Sequence, residues 1–128
     1  MANKMQKIRA TLWVWNPSDA SKPGVEVGAL VDTSAVMPVL PKEVIERLEI
    51  TIIDKVRVTP ANGQWEERDV AGPVTIAIGD REMSGSCFVG AVKSEPLIGQ
   101  IVVASLDLII DWPRNALRPR SEFPTRPS

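Results

Sequence analysis

Period-two alternation is the feature that most constrains this chain. From Ile8 to Trp15, residues Ile8, Ala10, Leu12 and Val14 fall on one face, and Arg9, Thr11, Trp13 and Trp15 on the other. Successive side chains of a strand point to opposite faces, so the pattern predicts a strand there. The tryptophans on the outer face would suit a strand covered on both sides, or a dimer contact. Further strand-like runs recur: Val25 to Val31, Val36 to Leu40, Thr51 to Thr59, Trp65 to Val70, Val74 to Ile78, Glu82 to Val89, Leu108 to Asp111 and Ala116 to Arg118. Turn formers separate them at Asn16 to Gly24, Pro60 to Gln64, Gly72-Pro73, Gly79-Asp80 and Trp112 to Asn115. Gly72-Pro73 is expected to break its strand, because proline removes a ladder donor. Helical spacing appears in two places. Val44, Ile45 and Leu48 form a stripe behind Pro41, which suits the first helical position, and the helix should end near Glu49. Ile101 to Leu106 has room for one or two turns. Many short strands with two short helices predict an all-β barrel or sandwich.

At 128 residues the chain reads as one domain over residues 1–120, followed by a Pro-rich tail over 121–128 that is expected to be disordered. A net charge of -1 points to no nucleic acid and no anionic membrane as a partner. No stretch is long enough to span a membrane, and Leu12 to Trp15 is too short for a signal-peptide core. With a lone cysteine, the expected location is cytoplasmic. The sequence contains no histidine, which removes Ser-His-Asp and Cys-His catalysis and His-ligated zinc together. Cys87 cannot form an intrachain disulfide, and its strand-like surroundings suggest a buried structural thiol. There is no Gly-rich phosphate loop. Neither a metal nor a cofactor is expected. Carboxylates are the best catalytic groups left, with Ser, Thr and Lys behind them.

One carboxylate stands out. The apolar run Gly28-Ala29-Leu30-Val31 delivers Asp32 into the small-residue turn Thr33-Ser34-Ala35, and a second apolar segment follows at once. Desolvating an aspartate is costly, so Asp32 either caps a turn or serves chemistry. Asp107 suits a helix terminus and Asp111 a strand-to-turn position, and both are read as structural.

Ala29-Leu30-Val31-Asp32-Thr33-Ser34-Ala35, followed by Val39-Leu40-Pro41, resembles the active-site loop of retropepsin-like aspartic proteases. Pro96-Leu97-Ile98-Gly99-Gln100, a short helix and Leu108-Ile109-Ile110-Asp111 resemble that family's apolar-apolar-Gly element, C-terminal helix and closing strand. Ala61-Asn62-Gly63-Gln64 lies where the family carries its flap hairpin, although Asn-Gly is also a general hairpin signal. The likeness spans residues 8 to 119 and is nearest to small bacterial single-domain members. It implies a closed retropepsin-like β-barrel with one or two short helices and one lobe per chain. It also implies an aspartic endopeptidase acting on a peptide or protein substrate without a cofactor. That chemistry needs two carboxylates sharing a proton, which titrate as a unit. One Asp32 per chain therefore implies a homodimer. In this reading Asp32 is catalytic, Thr33 bonds across the dimer, and Thr33, Ser34 and Ala35 form the active-site loop. Asn62 and Gly63 form a flap over an extended peptide. Ile98 and Gly99 support the loop from behind. Ser34 departs from the family pattern, which has glycine there. Its Cβ and hydroxyl could crowd the substrate or bond Asp32, so the alternative is a catalytically impaired dimeric binding module of the same fold.

Overall fold

A computed structural model describes residues 7–59 and 63–120. In chain order they form β1 (Arg9–Trp15), β2 (Val25–Val31), β3 (Val39–Pro41), α1 (Lys42–Leu48), β4 (Ile52–Val58), β5 (Glu66–Ile78), β6 (Arg81–Gly90), β7 (Leu97–Ile98), α2 (Gln100–Ser105), β8 (Leu108–Asp111) and β9 (Ala116–Pro119). Strands pair in the order β1-β2-β7-β3-β6-β5, and β5 returns to β1 to close a six-stranded barrel. Closure leaves these strands without open edges. β4 adds to β5 outside the ring, and β8 and β9 form a separate hairpin. The β2–β7 and β3–β6 pairs are parallel and the remaining pairs antiparallel, so the barrel is mixed. Among the described residues no helix is long and apolar enough to cross a membrane.

The alternation of β1 becomes burial. Ile8, Leu12 and Val14 enter the core with Ala29, Leu40, Val74, Ile76 and Ile98, while Trp13 stays 47% exposed. Val44, Ile45 and Leu48 of α1 close one end of that core. Each such side chain contributes about 1.5–3 kcal/mol when buried. The helix ends at Glu49, whose backbone is left-handed at φ 54°. The buried Asn16 amide donates to the carbonyls of Leu48 at 3.0 Å and Glu49 at 3.2 Å, satisfying acceptors that the helix end leaves open. Cys87 is fully buried, and loss of solvent pushes its thiol up to about 12.

Three sequence expectations need correction. Gly72-Pro73 does not break its strand, because β5 runs unbroken for 13 residues. Between Ala71↔Cys87 and Val74↔Gly85, β5 advances three residues while β6 advances two. The extra residue is a bulge, which is where a strand tolerates proline. Val36 to Leu40 is not one strand either; only Val39–Pro41 pairs. Val36 and Met37 stay in the preceding loop, where the Val36 carbonyl accepts from Ile101 N–H at 2.9 Å. Pro41 closes β3 and serves as N-cap, so the helix begins at Lys42. The tail over 121–128 lies outside the described residues.

Candidate active site

Asp32 sits where two barrel strands part around a third. β7 lies between β2 and β3, pairing Leu30↔Leu97 and Val31↔Ile98 on one side and Val39↔Leu97 on the other. The chain must leave β2, arch over the end of β7 and re-enter the sheet as β3. Asp32 is the first residue of that arch. Its N–H donates to the Ile98 carbonyl at 3.0 Å, which fixes its backbone to the buried end of β7.

The arch closes on itself and on α2. Ala35 N–H donates to the Asp32 carbonyl at 3.1 Å, and Gln100 N–H donates to the Ala35 carbonyl at 2.8 Å. Gln100 is also the first residue of α2, so the helix start and the loop are tied together. Gly99 lies directly beneath. A Cβ there would stand 2.6 Å from the Met37 carbonyl oxygen and 2.8 Å from that of Val36, far inside van der Waals contact. The position has room only for glycine.

The Asp32 carboxylate meets Ser34 twice. Oδ1 accepts the Ser34 N–H at 3.1 Å and the Ser34 hydroxyl at 2.5 Å. Oδ2 has no hydrogen-bond partner among the described residues. Thr33 and Ser34 are exposed, and Asp32 and Ala35 are half-buried. Next to them Val36 is 66% and Ile101 43% exposed, an apolar pair on the outside of the loop.

The facing wall is the β4–β5 hairpin. β4 and β5 pair from Ile52↔Ala71 to Val58↔Glu66, and the hairpin's outer end lies beyond that last pair. Gly63 lies there with φ +85° and open space around it. Asn62 lies outside the described residues. Between the Asp32 loop and the hairpin runs a cleft of about 600 Å³, lined by Val39, Val58, Phe88 and Leu97 among others. Asp32 and Arg68 are its only ionisable lining residues among the described residues. A larger groove of about 870 Å³ lies between α1 and the hairpin and shares Val39, Arg68 and Leu97 with the cleft.

The other aspartates singled out in the sequence stand apart from this cleft. Asp107 follows α2 and pairs with Arg120 at 2.7 Å. Asp111 ends β8. Burial pushes its carboxyl up, but the Arg114 N–H and the Arg118 and Arg114 guanidinium groups outweigh that and hold it below the usual range. No cluster of three or more potential metal ligands exists among the described residues.

This architecture has solved counterparts. The chain superposes on the retroviral protease-like domain of Ddi1 from Leishmania major with a TM-score of 0.61, covering 92% of this chain and 91% of that one. The fold is retropepsin-like. Sequence identity over that match is 17%, so the likeness concerns the fold alone. No family model and no curated protein matches the sequence. Asp32 through Ala35, Ile98 and Gly99 come together in one loop-and-strand unit of this retropepsin-like barrel, whereas Gly63 belongs to the hairpin but does not line the cleft, which the hairpin meets through Val58, Thr59 and Arg68.

Arg68, Val58 and Phe88 were not singled out in the sequence. Arg68 carries the one usable signal: two residues before the buried Val70 on one strand, it belongs to the same face. Nothing in the sequence shows that this face would close over Asp32.

Proposed function

We propose that the protein is an aspartic endopeptidase whose active centre is an Asp32/Asp32 pair across a homodimer. The observation that carries this reading is the seating of Asp32. A half-exposed carboxylate with one unpartnered oxygen stands at the mouth of an apolar cleft, on a loop fixed by backbone bonds. Such a position suits chemistry better than packing. The cleft receives one carboxylate from one chain, and the reaction needs two, so the second comes from a second copy. The exposed Val36 and Ile101 beside the loop give that copy an apolar surface to cover.

In this mechanism one carboxylate of the pair takes a proton from a bound water. The water oxygen bonds to the peptide carbonyl carbon, while the other, protonated carboxyl hydrogen-bonds the carbonyl oxygen. The C–N bond then breaks, and the amine nitrogen leaves with a proton supplied by the pair. The β4–β5 hairpin closes over an extended peptide, and Thr33 links the two loops.

Incubation of the purified protein with an unfolded polypeptide between pH 3 and 7 tests this. Wild type is expected to cleave and Asp32→Asn to be inactive. Equal activity of the two sinks the proposal. Sedimentation is expected to show a dimer.

Ser34 favours a second reading, in which the fold binds peptides with little or no cleavage. Its hydroxyl already donates to Asp32 Oδ1 at 2.5 Å, a bond that glycine could not make. Under that reading Ser34→Gly creates or strongly raises cleavage. Efficient cleavage by wild type dismisses it.

A further inference from the structure

We infer that Arg68 is a carboxylate-reading residue of the cleft, selecting a substrate with an acidic side chain or a free C-terminus. The inference rests on the peptide-binding reading above and adds the class of peptide. Among the described residues Arg68 is the only cation lining the cleft that holds Asp32, and it stands on the hairpin wall facing that loop. Every other cleft residue apart from Asp32 is apolar or carries only a hydroxyl.

The guanidinium is oriented but not saturated. Nε and Nη2 both donate to Glu66 Oε2, at 3.3 and 3.0 Å. That uses the side-on edge. Arginine has five N–H donors, so the end-on edge, formed by Nη1 and the second Nη2 hydrogen, remains available. That edge is a planar fork matched to a carboxylate, which lysine does not offer. Glu66 thus acts as a positioning residue, holding the fork in one plane.

The carboxylates of the adjoining groove do not spoil this. Of its six carboxylates, Glu46, Glu49, Glu66, Asp69 and Glu95 are each within ion-pair distance of a cation of the chain: Lys42, Lys22, Arg68, Lys55 and Arg9 in turn. The sixth, Glu67, lines the groove but not the Asp32 cleft, and its charge is felt at Lys55. Of these cations only Arg68 reaches the Asp32 cleft.

The test uses the full chain carrying Asp32→Asn, so that binding is read without cleavage. Fluorescence anisotropy measures labelled peptides in which Glu or Gln is scanned through each position, with free or amidated C-termini. At neutral pH a peptide with Glu at one position, or with a free C-terminus, is expected to bind about tenfold tighter than its neutral twin. The advantage fades as pH falls through the peptide carboxyl's own range, about 4.3 for a Glu side chain and about 3.5 for a C-terminus. Arg68→Gln removes the advantage and leaves binding of the neutral twin unchanged, and Arg68→Lys restores only part of it. Dependence on the scanned Glu identifies a side-chain carboxylate; dependence on the terminus identifies a C-terminal one. Equal binding of charged and neutral peptides, or a preference that survives Arg68→Gln, overturns the inference. Cleavage by wild type without charge preference leaves the protease reading intact and removes this one. Charge-selective binding through Arg68 with no cleavage by wild type does the reverse. Failure to bind any peptide removes both.

Discussion

The Asp32 loop and the β4–β5 hairpin face each other across one cleft, but different physics holds each. The loop is over-determined. Backbone hydrogen bonds tie it to β7 and α2, and Gly99 lets it lie flat on the strand below. The outer half of the hairpin has much less. Among the described residues Glu66 to Asp69 pair only with β4, which is the last strand of the sheet. Exposed pairs support it: Lys55 with Asp69 at 2.7 Å, and Arg57 lying 4.1 Å from the Trp65 ring centroid. Such contacts are worth about 1 kcal/mol or less each. One wall is held by backbone bonds and close packing and the other mainly by exposed contacts, and the closure over a peptide proposed above would draw on that difference.

Breaking the fixed wall should cost most. Gly99→Ala places a methyl against two backbone carbonyls that cannot retreat without losing β3 or α2. A loss of about 3 kcal/mol is expected, read by urea unfolding. An equally stable variant would mean that the loop is not held as rigidly as its bonds suggest. On the opposite wall, Gly63→Ala meets no steric contact but must keep φ +85°. It is expected to cost about 1 kcal/mol, the usual strain of a left-handed residue with a side chain. Trp65→Ala removes the Arg57 contact and should lower global stability by only about 0.5 kcal/mol. Amide exchange in β4 should nevertheless accelerate while exchange in β2 and β7 stays unchanged. Uniform acceleration across the barrel would show that the two walls are one cooperative unit.

The smallest effect lies outside both walls and appears only in acid. Asp111 is held below the usual carboxylate range in the folded chain. Its contribution is therefore complete above the unfolded value, near pH 4, and lost as pH falls further toward the folded one. Asp111→Asn should flatten the acid end of the stability profile and leave the neutral region's pH dependence unaltered, as thermal melts from pH 2 to 7 would show.

Much of the fixed wall was legible in the sequence, and little of the movable one. Val25 to Val31 read as a strand because its alternation is local, and Asp32 was conspicuous as a charge following apolar residues. Gly99 became meaningful only beside the apolar pair before it. Val36 and Met37 misled because their apolarity suggested a strand, when their carbonyls serve α2 and the close approach of Gly99. Gly72-Pro73 misled because a lost donor looks like an end, and only the partner strand reveals that an extra residue absorbs it. Arg68 was invisible for a different reason. A charged residue among Glu66, Glu67 and Asp69 looks like solvated surface until the hairpin folds over the barrel.

The bulge at Gly72-Pro73 also makes the hairpin a replaceable part. Beyond it, from Val74 to Ile78, β5 is stitched to β1 and β6 in the barrel register; before it, Val70 and Ala71 still pair with β6, and from Glu66 to Val70 the strand keeps step with β4. The two registers are counted separately. Residues inserted in pairs at the tip would preserve the inward row of Arg68 and Val70 and leave every barrel pairing untouched. A single inserted residue on either arm would turn that arm's cleft-facing row outward beyond the insertion. The length and chemistry of the cleft's roof can therefore drift over time while the barrel and its aspartate loop stay as they are.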